Sequence, residues 1–234
     1  MYDDIADIYL EIFPLNQAFL SFMLNYLGEP GSTVLDLGCG PGDYVDYLSR
    51  AGYLTTGIDS SKVMIEQAQA HRQGTFYNYS FTEIKQLRGE FDCSYCVGNS
   101  LSYLPEDALP RFLQDVHTLL KTSGFFVLQV VNWDRLYLTM SSEFPINEIS
   151  GGKTFYRQYE WINRSKVIFH TELRKGEEIL GSWADPLFPK YSERLVTELQ
   201  AAGFTISGQY GDYAKASSDP KSSPALILIA QRNI

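Results

Sequence analysis

The sequence lacks the features that mark several large protein classes. No stretch approaches the ~18 consecutive apolar residues that a membrane-spanning helix requires, so we expect no transmembrane segment and no membrane partner. The first residues are rich in aspartate and lack the basic start and apolar centre of a secretory signal peptide. Only three cysteines are present, Cys39, Cys93 and Cys96, which is too few for a disulfide framework and favours a cytoplasmic location.

Basic residues are also scarce. The 234 residues contain 19 Lys and Arg against 28 Asp and Glu, so the formal net charge is −9. Proteins that bind nucleic acid usually need a basic face to neutralise phosphates, so we expect neither DNA nor RNA as a partner. The aromatic fraction is high at 14%, which suits an enclosed pocket for a small molecule as well as core packing.

Cys93 and Cys96 form a C-x-x-C pair, a spacing that also occurs in redox and zinc sites. The pair lies in an apolar segment, FDCSYCVG, that is typical of a buried strand. Residues three apart on a strand point to opposite faces, which suits neither a disulfide nor a shared metal ion. The sequence has no second Cys or His pair to complete a zinc site, so we predict no metal.

Strands alternate with helices along the first 131 residues. After an amphipathic helical segment over residues 1–30, we predict strands near residues 33–37, 54–58, 75–79, 91–97 and 125–131. Helices are predicted over about residues 43–50, 61–71 and 107–121, the last followed by Gly124. This alternation of helices with continuous apolar strands predicts an α/β fold with a doubly wound, mostly parallel sheet.

A different pattern follows Trp133. The segments 153–161, 166–174 and 178–183 are typical of antiparallel strands, which predicts a small antiparallel β insertion over about residues 150–185. A helix over residues 191–202 and strands over residues 204–210 and 225–231 complete the pattern. We therefore predict a single domain over residues 1–234 that contains this insertion.

A glycine-rich turn follows the first predicted strand, in the sequence VLDLGCGPG of residues 34–42. Glycines at such a turn let the backbone approach a ligand at the carboxyl edge of the sheet, where α/β folds bind. Dinucleotide-binding enzymes need a third glycine where Asp43 stands here, and Asp36 disfavours a pyrophosphate. A nicotinamide-dependent oxidoreductase is therefore the weaker alternative.

Two acids, Asp36 and Asp59, end neighbouring apolar strands. A carboxylate in such surroundings is costly to bury without a partner, so ligand binding is the favoured interpretation for both. Asp36 suits a ligand that carries an ammonium and a sulfonium group. Asp59 can accept hydrogen bonds from both hydroxyls of a ribose.

Taken together, these segments resemble class I S-adenosylmethionine-dependent methyltransferases. The segments DLGCGPG, GIDSS and FDCSYCVGNSLSYLP carry the resemblance, which covers essentially the whole chain. More narrowly, CVGNSLSYL and QVVNWD resemble the glycine/sarcosine N-methyltransferase-like branch. The resemblance implies a Rossmann-like methyltransferase fold with a seven-stranded sheet, S-adenosylmethionine as the cofactor, and methyl transfer to the nitrogen or oxygen of a small-molecule acceptor. A non-catalytic protein that binds S-adenosylmethionine is the alternative.

The resemblance also implies roles for individual residues around the cofactor. Glycines of the turn line its methionine end, Asp59 holds its ribose, and Ser60 and Met64 lie beside its adenine. Tyr9 belongs to an N-terminal segment that folds over the pocket together with Tyr2. The full set of implied cofactor-binding residues is Asp36, Gly38, Gly40, Gly42, Asp59, Ser60, Met64, Ser80, Phe81, Val97, Ser102 and Tyr9.

Methyl transfer from a sulfonium is an in-line displacement, which mainly requires alignment of the reactants and exclusion of water. If a base assists, the candidates are Tyr103, His170 and Asp134, of which we predict the first two as catalytic. The predicted acceptor-binding residues are Asn132, Arg157 and Tyr159.

One departure from the narrower branch concerns the acceptor. Members that methylate glycine carry an arginine immediately before the asparagine of an Asn-Tyr-Asp motif, and this arginine binds the substrate carboxylate. Val131 stands at that position here, in VVNWD. This argues against glycine as the acceptor unless Arg157 or another cation supplies the contact.

Overall fold

A computed structural model describes residues 1–142 and 144–233 of the chain. The strands are, in chain order, β1 (Thr33–Leu37), β2 (Leu54–Asp59), β3 (Thr75–Asn78), β4 (Phe91–Cys96), β5 (Leu120–Val131), β6 (Asn147–Ile149), β7 (Lys153–Asn163), β8 (Lys166–Lys175), β9 (Glu178–Leu187), β10 (Phe204–Tyr210) and β11 (Ala225–Arg232). The helices are α1 (Tyr9–Ile12), α2 (Gln17–Met23), α3 (Asp43–Arg50), α4 (Lys62–His71), α5 (Leu109–Leu119), α6 (Trp133–Thr139) and α7 (Ser192–Ala201).

The main sheet contains seven strands in the order β10-β11-β5-β4-β1-β2-β3. Neighbouring strands are parallel, except that β11 runs antiparallel to both β10 and β5. The predicted seven-stranded, mostly parallel sheet is confirmed. The chain moves outward from β1 to β3 and then returns to place β4 on the other side of β1. This reversal of strand order opens a crevice at the carboxyl ends of β1 and β4, where ligands bind in such sheets.

A second, separate sheet is formed by the four antiparallel strands β6-β7-β8-β9. The predicted antiparallel insertion is therefore confirmed, with bounds slightly wider than expected. The strand β9 continues to Leu187, because its ladder with β8 extends through the pairs of Asp185 with Phe169 and of Leu187 with Val167.

The N-terminal segment is less regular than the helix predicted over residues 1–30. Two short 3-10 turns precede α1, and the chain then breaks between α1 and α2 around Pro14. Proline lacks the backbone N–H that would continue a helix, which accounts for the break. Asn16 then begins α2 by accepting a hydrogen bond from the Phe19 N–H at 3.1 Å.

The fifth strand of the sheet also begins earlier than the sequence indicates. Gly124, expected just beyond the end of a helix, lies inside β5. A Cβ atom at this position would lie only 2.8 Å from the carbonyl oxygen of Lys121, so a glycine permits this close approach of the backbone.

Helices cover both faces of the main sheet. On one face, α2 buries Phe19 and Met23 against the strands, and on the other α5 and α7 bury Leu113 and Leu195. The longest helix in the described part of the chain, α5, has 11 residues. In those same ranges, no helix has the length and apolar character needed to cross a membrane.

A buried lysine joins the second sheet to the loop that follows β4. The side chain of Lys190 is fully buried, and its ammonium donates to the carbonyl oxygen of Leu104 at 2.7 Å. The Glu106 carboxylate lies 3.4 Å away and partly compensates the charge. Two residues earlier, the Phe188 N–H donates to the Ser102 carbonyl oxygen at 2.7 Å. The loop after β4 is therefore held in place by the chain that leaves β9.

Replacing Lys190 with Met tests the burial of this charge. Burial lowers the pKa of Lys190 from 10.5 to about 8, so the folded protein releases this proton at a lower pH than the unfolded chain. Between those values the free energy of unfolding should rise with pH, by up to about 3 kcal/mol from this group. We expect Lys190→Met to lose this rise, as measured by urea denaturation of both proteins at about pH 7.5 and about pH 9.5. If the free energy of unfolding showed the same pH dependence in both proteins, the lowered pKa of Lys190 would be contradicted.

Candidate functional site

The glycine turn after β1 is fixed by contacts with β2. The backbone N–H groups of Gly38 and Cys39 both donate to the Ile58 carbonyl oxygen at 2.9 Å. Gly38 has a φ of +89°, and a Cβ atom there would lie 2.9 Å from the Cβ of Ser100. A side chain is therefore excluded both by conformation and by space, and the backbone of the turn stays open to the crevice.

Asp59 joins this turn to the helix that follows β2. One carboxylate oxygen accepts from the Gly40 N–H at 2.9 Å and the other from the Ser61 N–H at 2.8 Å. The Ser61 hydroxyl in turn caps α4 by accepting from the Met64 N–H at 3.1 Å. Burial raises the pKa of Asp59, and these backbone hydrogen bonds oppose the rise. Each oxygen retains a lone pair, so the carboxylate can still accept two hydroxyl hydrogens.

Asp36 is only 2% exposed, at the end of β1. Its Oδ2 atom is buried and has no hydrogen-bond partner among the described residues. Burial raises the pKa of Asp36 to about 8; the neighbouring Tyr95 hydroxyl opposes this rise and the Asp59 carboxylate adds to it. An unpaired buried carboxylate of this kind calls for a cationic partner from outside the chain.

Two chambers meet at the glycine turn. The first, of about 270 Å³, lies between Asp59, Met64, Phe81 and Tyr103. The second, of about 460 Å³, lies between Asp36, Tyr44, Gln129 and Tyr213. The two chambers share lining residues, which are Tyr2, Tyr9, Gly38, Gly98 and Ser100. They therefore form one continuous cleft of the size that small-molecule sites occupy.

Aromatic residues of the N-terminal segment cover the cleft. The Tyr9 ring lies over the glycine turn, 3.5 Å from where a Cβ atom of Gly40 would be. The Tyr2 and Tyr103 hydroxyls are hydrogen bonded at 3.0 Å, across the first chamber's wall. Burial raises the pKa of the hydroxyl groups of Tyr2, Tyr9 and Tyr103, so all three stay protonated near neutral pH.

Polar contacts hold this segment to helix α4 and to the second sheet. The Gln67 side chain donates to the Asp7 carboxylate at 2.9 Å, and the Asn147 side chain donates to the Ile12 carbonyl oxygen at 2.7 Å. The Trp183 indole donates to the Asp4 carboxylate at 2.9 Å. The cover of the cleft is therefore built from the start of the chain and is held on two sides.

The structure brings together most residues for which the resemblance implies a cofactor contact. Those that line the two chambers are Asp36, Gly38, Gly40, Asp59, Ser60, Met64, Ser80, Phe81, Val97 and Tyr9. Gly42 and Ser102 do not line either chamber. Gly42 begins α3 and packs against Phe76, while the buried Ser102 hydroxyl donates to Asn99 at 2.8 Å and accepts from the Trp133 indole at 2.9 Å. Both support the cleft from behind.

The two predicted catalytic residues lie far apart. Tyr103 lines the first chamber, in the loop that follows β4. His170 lies on the more exposed face of β8, with Nε2 2.7 Å from the Glu160 carboxylate. Side chains alternate along a strand, so His170 points away from the face that its neighbours Phe169 and Thr171 bury. The structure thus corrects the placement of His170 in the site.

The predicted acceptor residues lie outside both chambers. Asn132 is 2% exposed and caps α6 by accepting from the Arg135 N–H at 3.1 Å, while its amide donates to the Asp219 and Ser223 carbonyl oxygens. These bonds use both ends of the side chain, so Asn132 supports the loop before β11 instead of facing a ligand. Asp134, the third candidate base, accepts from the Ser192 N–H at 3.0 Å.

Arg157 and Tyr159 share the buried face of β7, as their spacing predicts. Tyr159 stacks on Trp133 with ring centroids 5.1 Å apart. The Arg157 guanidinium lies over the Phe144 ring at 5.2 Å and donates to the Asn147 side chain at 2.8 Å. Arg157 is therefore occupied by contacts within the chain.

One acidic residue near the cleft was not identified from the sequence. Asp185 shares the inward face of β9 with Trp183 and Leu187. Its Oδ2 atom is buried and has no hydrogen-bond partner within the described ranges. The predicted strand ended at Trp183, four residues too early, which hid the alternation that would have placed this acid on the inward face.

The charges of the cleft have one sign. In the parts of the chain that the structure describes, no Lys, Arg or His side chain lines either chamber, whereas the lining includes Asp36, Asp43, Asp59 and Asp212. Asp43 is neutralised by Arg72 at 2.8 Å. With the unpaired Asp36, the open glycine turn and the free lone pairs of Asp59, the cleft fits a ligand that combines cationic groups with a ribose.

Comparisons with known proteins agree with this geometry. Residues 34–124 match a family model described as a methyltransferase domain. The chain is similar to a protein of Geobacillus sp. (strain WCH70) whose name describes a methyltransferase, with 32% identity over 121 residues that cover 49% of each protein. It is also similar to the glycine/sarcosine/dimethylglycine N-methyltransferase of Actinopolyspora halophila, with 28% identity over 206 residues that cover 82% of this chain and 35% of the relative. The matched regions thus span less than half the length of either relative.

The likeness among solved structures extends over the whole chain. An S-adenosylmethionine-dependent methyltransferase from Clostridium acetobutylicum ATCC 824 has a TM-score of 0.82 and covers 100% of this chain and 99% of its own. Its sequence identity is 16%, so the likeness is one of fold.

Asp36→Asn tests the unpaired acid in the protein without ligand. Because the pKa of Asp36 rises from 3.8 to about 8 on folding, its contribution to stability is full below about pH 4 and is lost as the pH rises to 8. Asparagine resembles the protonated acid. The free energy of unfolding of the variant, relative to that of the wild type, should therefore gain with rising pH, by up to about 5 kcal/mol at pH 8. Urea denaturation of both proteins at about pH 5 and about pH 8 measures this gain.

The matched control for this prediction is Asp46→Asn. The Arg50 side chain lowers the pKa of Asp46, so its contribution to stability is lost only as the pH falls below about 4, and the stability of this variant relative to the wild type should not change between about pH 5 and about pH 8. An Asp36→Asn variant whose stability relative to the wild type does not change with pH would show that Asp36 is already paired.

Proposed function

We propose methyl transfer from S-adenosylmethionine to a small molecule as the activity of this protein, on the premise that the chain has the class I S-adenosylmethionine-dependent methyltransferase fold and that residues 34–124 belong to the methyltransferase domain family. The observation that carries the proposal is the pair of carboxylates on either side of an open glycine turn, the buried Asp36 and the half-buried Asp59. No cationic side chain of the described residues competes for them inside the cleft.

Each part of the cofactor has a matching part of the cleft. Asp59 would accept hydrogen bonds from the ribose hydroxyls, and Met64 and Phe81 of the first chamber would hold the adenine. Gly38 and the unpaired Asp36 carboxylate would hold the methionine end and its positive charge. When bound, S-adenosylmethionine supplies a methyl group on a positively charged sulfur, ready for displacement.

The contribution of the protein is to align the acceptor and to exclude water. Tyr2 and Tyr9 close the cleft from the N-terminal segment, and the Tyr2 hydroxyl holds Tyr103 at 3.0 Å. The raised pKa of Tyr103 keeps its hydroxyl neutral near pH 7, so it orients an acceptor by hydrogen bonding and does not act as a phenolate base. Alignment of this kind accounts for a large part of the acceleration of a two-substrate displacement.

The alternative of a nicotinamide-dependent oxidoreductase fits the cleft poorly. Beside Asp36 a pyrophosphate would find no cationic side chain among the described lining residues, and at the start of α3 it would meet Asp43. Calorimetric titration with S-adenosylmethionine and with NAD⁺ separates the two proposals. Release of S-adenosylhomocysteine across a panel of amines, phenols and carboxylates then separates an enzyme from a protein that only binds the cofactor.

The ribose assignment is tested by Asp59→Ala. Loss of two charge-assisted hydrogen bonds should weaken the binding of S-adenosylhomocysteine by about a hundredfold or more, as measured by calorimetry. The wild type should also bind the 2′-deoxy analogue more weakly than S-adenosylhomocysteine, and the variant should no longer distinguish the two.

Asp46→Ala serves as the matched control, since it removes an acid from the adjacent helix α3 outside both chambers. It should leave the affinity unchanged, and circular dichroism should show both variants folded. Equal affinities of the wild type and Asp59→Ala would place the ribose elsewhere.

A further inference from the structure

Asp185 lies near the end of β9, just before the segment that is hydrogen bonded to the loop carrying Tyr103. The inward row of the second sheet at this level is formed by Tyr159 on β7, Phe169 on β8 and Asp185 on β9. The first two are largely buried, at 4% and 8% exposure. Three residues after Asp185, Phe188 is hydrogen bonded to Ser102, the neighbour of Tyr103. The carboxylate is thus held close to the tyrosine pair by the backbone.

The carboxylate and the tyrosine pair are near one another without being bonded. Burial is the main cause of the raised pKa of Tyr2 and Tyr103, and the negative charge of Asp185 adds to the rise in both. Yet the buried Oδ2 atom of Asp185 has no hydrogen-bond partner in the described part of the chain, so neither hydroxyl reaches it. The tyrosine pair lines the first chamber, and Asp185 lies behind that lining with an acceptor oxygen still free.

A carboxylate and two neutral phenol oxygens favour one kind of ligand group. All three can accept hydrogen bonds, and only the carboxylate is charged. Since the described lining of both chambers has no cationic side chain either, an anionic acceptor would find no partner in the cleft.

Resting on the proposed methyltransferase function, we infer that the methyl acceptor is an amine whose ammonium group is held between the Asp185 carboxylate and the Tyr2–Tyr103 hydroxyl pair. Asp185 then serves as the base. One N–H bond of the ammonium breaks, its proton passes to a carboxylate oxygen of Asp185, and the electron pair remains on nitrogen. The neutral amine that results has the free electron pair that a methyl acceptor needs, and the phenol oxygens keep it in place.

The test uses three ligands that share one ring and differ in the group that would lie between Asp185 and the tyrosine pair. Benzylamine, benzyl alcohol and benzoate are titrated by calorimetry into the full chain loaded with S-adenosylhomocysteine. We expect the amine to bind about tenfold to a hundredfold more tightly than the alcohol, the range of a hydrogen bond to a charged group, and benzoate to bind least. Asp185→Asn should bring the amine to the level of the alcohol.

Two variants separate a role in recognition from one in stability. Asp185→Glu keeps the charge and should retain the preference for the amine, whereas Glu178→Gln, an exposed acid on the same strand, should change nothing. The inference is overturned if the wild type shows no preference for the amine, or if Asp185→Asn retains it. The affinity for S-adenosylhomocysteine tests the proposed function separately. If this ligand binds but the amine is not preferred, only the inference is rejected. If S-adenosylhomocysteine does not bind, both are rejected.

Discussion

The hydrogen bonds accepted by one carboxylate, that of Asp59, organise the site. Its two oxygens hold the N–H groups of Gly40 and Ser61, so the glycine turn, the end of β2 and the start of α4 keep one relative position. Replacement of Asp59 with alanine would leave these two backbone N–H groups without an acceptor in a largely buried position. Each lost hydrogen bond would destabilise the folded protein. The geometry of the first chamber follows from this arrangement, since the turn forms one wall and α4 another.

The acids of the site share a physical logic. Each lies at the carboxyl end of a strand in low-dielectric surroundings, where the charged form is disfavoured until a positive group arrives. Asp36 shows this most clearly, because the pKa of its carboxyl is raised to about 8 by burial. Elsewhere the chain pairs its buried acids internally, as Asp43 with Arg72. The unpaired acids therefore mark where a partner from outside is expected.

The sequence predicts the main sheet well because glycine turns and continuous apolar strands are local signals. The positions of Asp36 and Asp59 at strand ends beside the glycine turn were predictable for the same reason. The surroundings of His170 and Asn132 were not, because they depend on contacts between distant segments: His170 lies on the other face of its strand, and Asn132 is occupied by the loop before β11. The position of Asp185 was not predictable from the sequence, because β9 extends past Trp183 through its pairing with β8 and not through a local preference.

The cover of the cleft has a consequence for the order in which the protein assembles. Asp4 is hydrogen bonded to Trp183, and Asn147 is hydrogen bonded to the chain at Ile12, so this segment docks on strands that follow it by 179 and 135 residues. Contacts between positions so far apart in sequence close large loops, and they form late because the intervening chain must first be ordered. The core of the sheet is therefore able to form while the cleft is still open, and the cleft closes last.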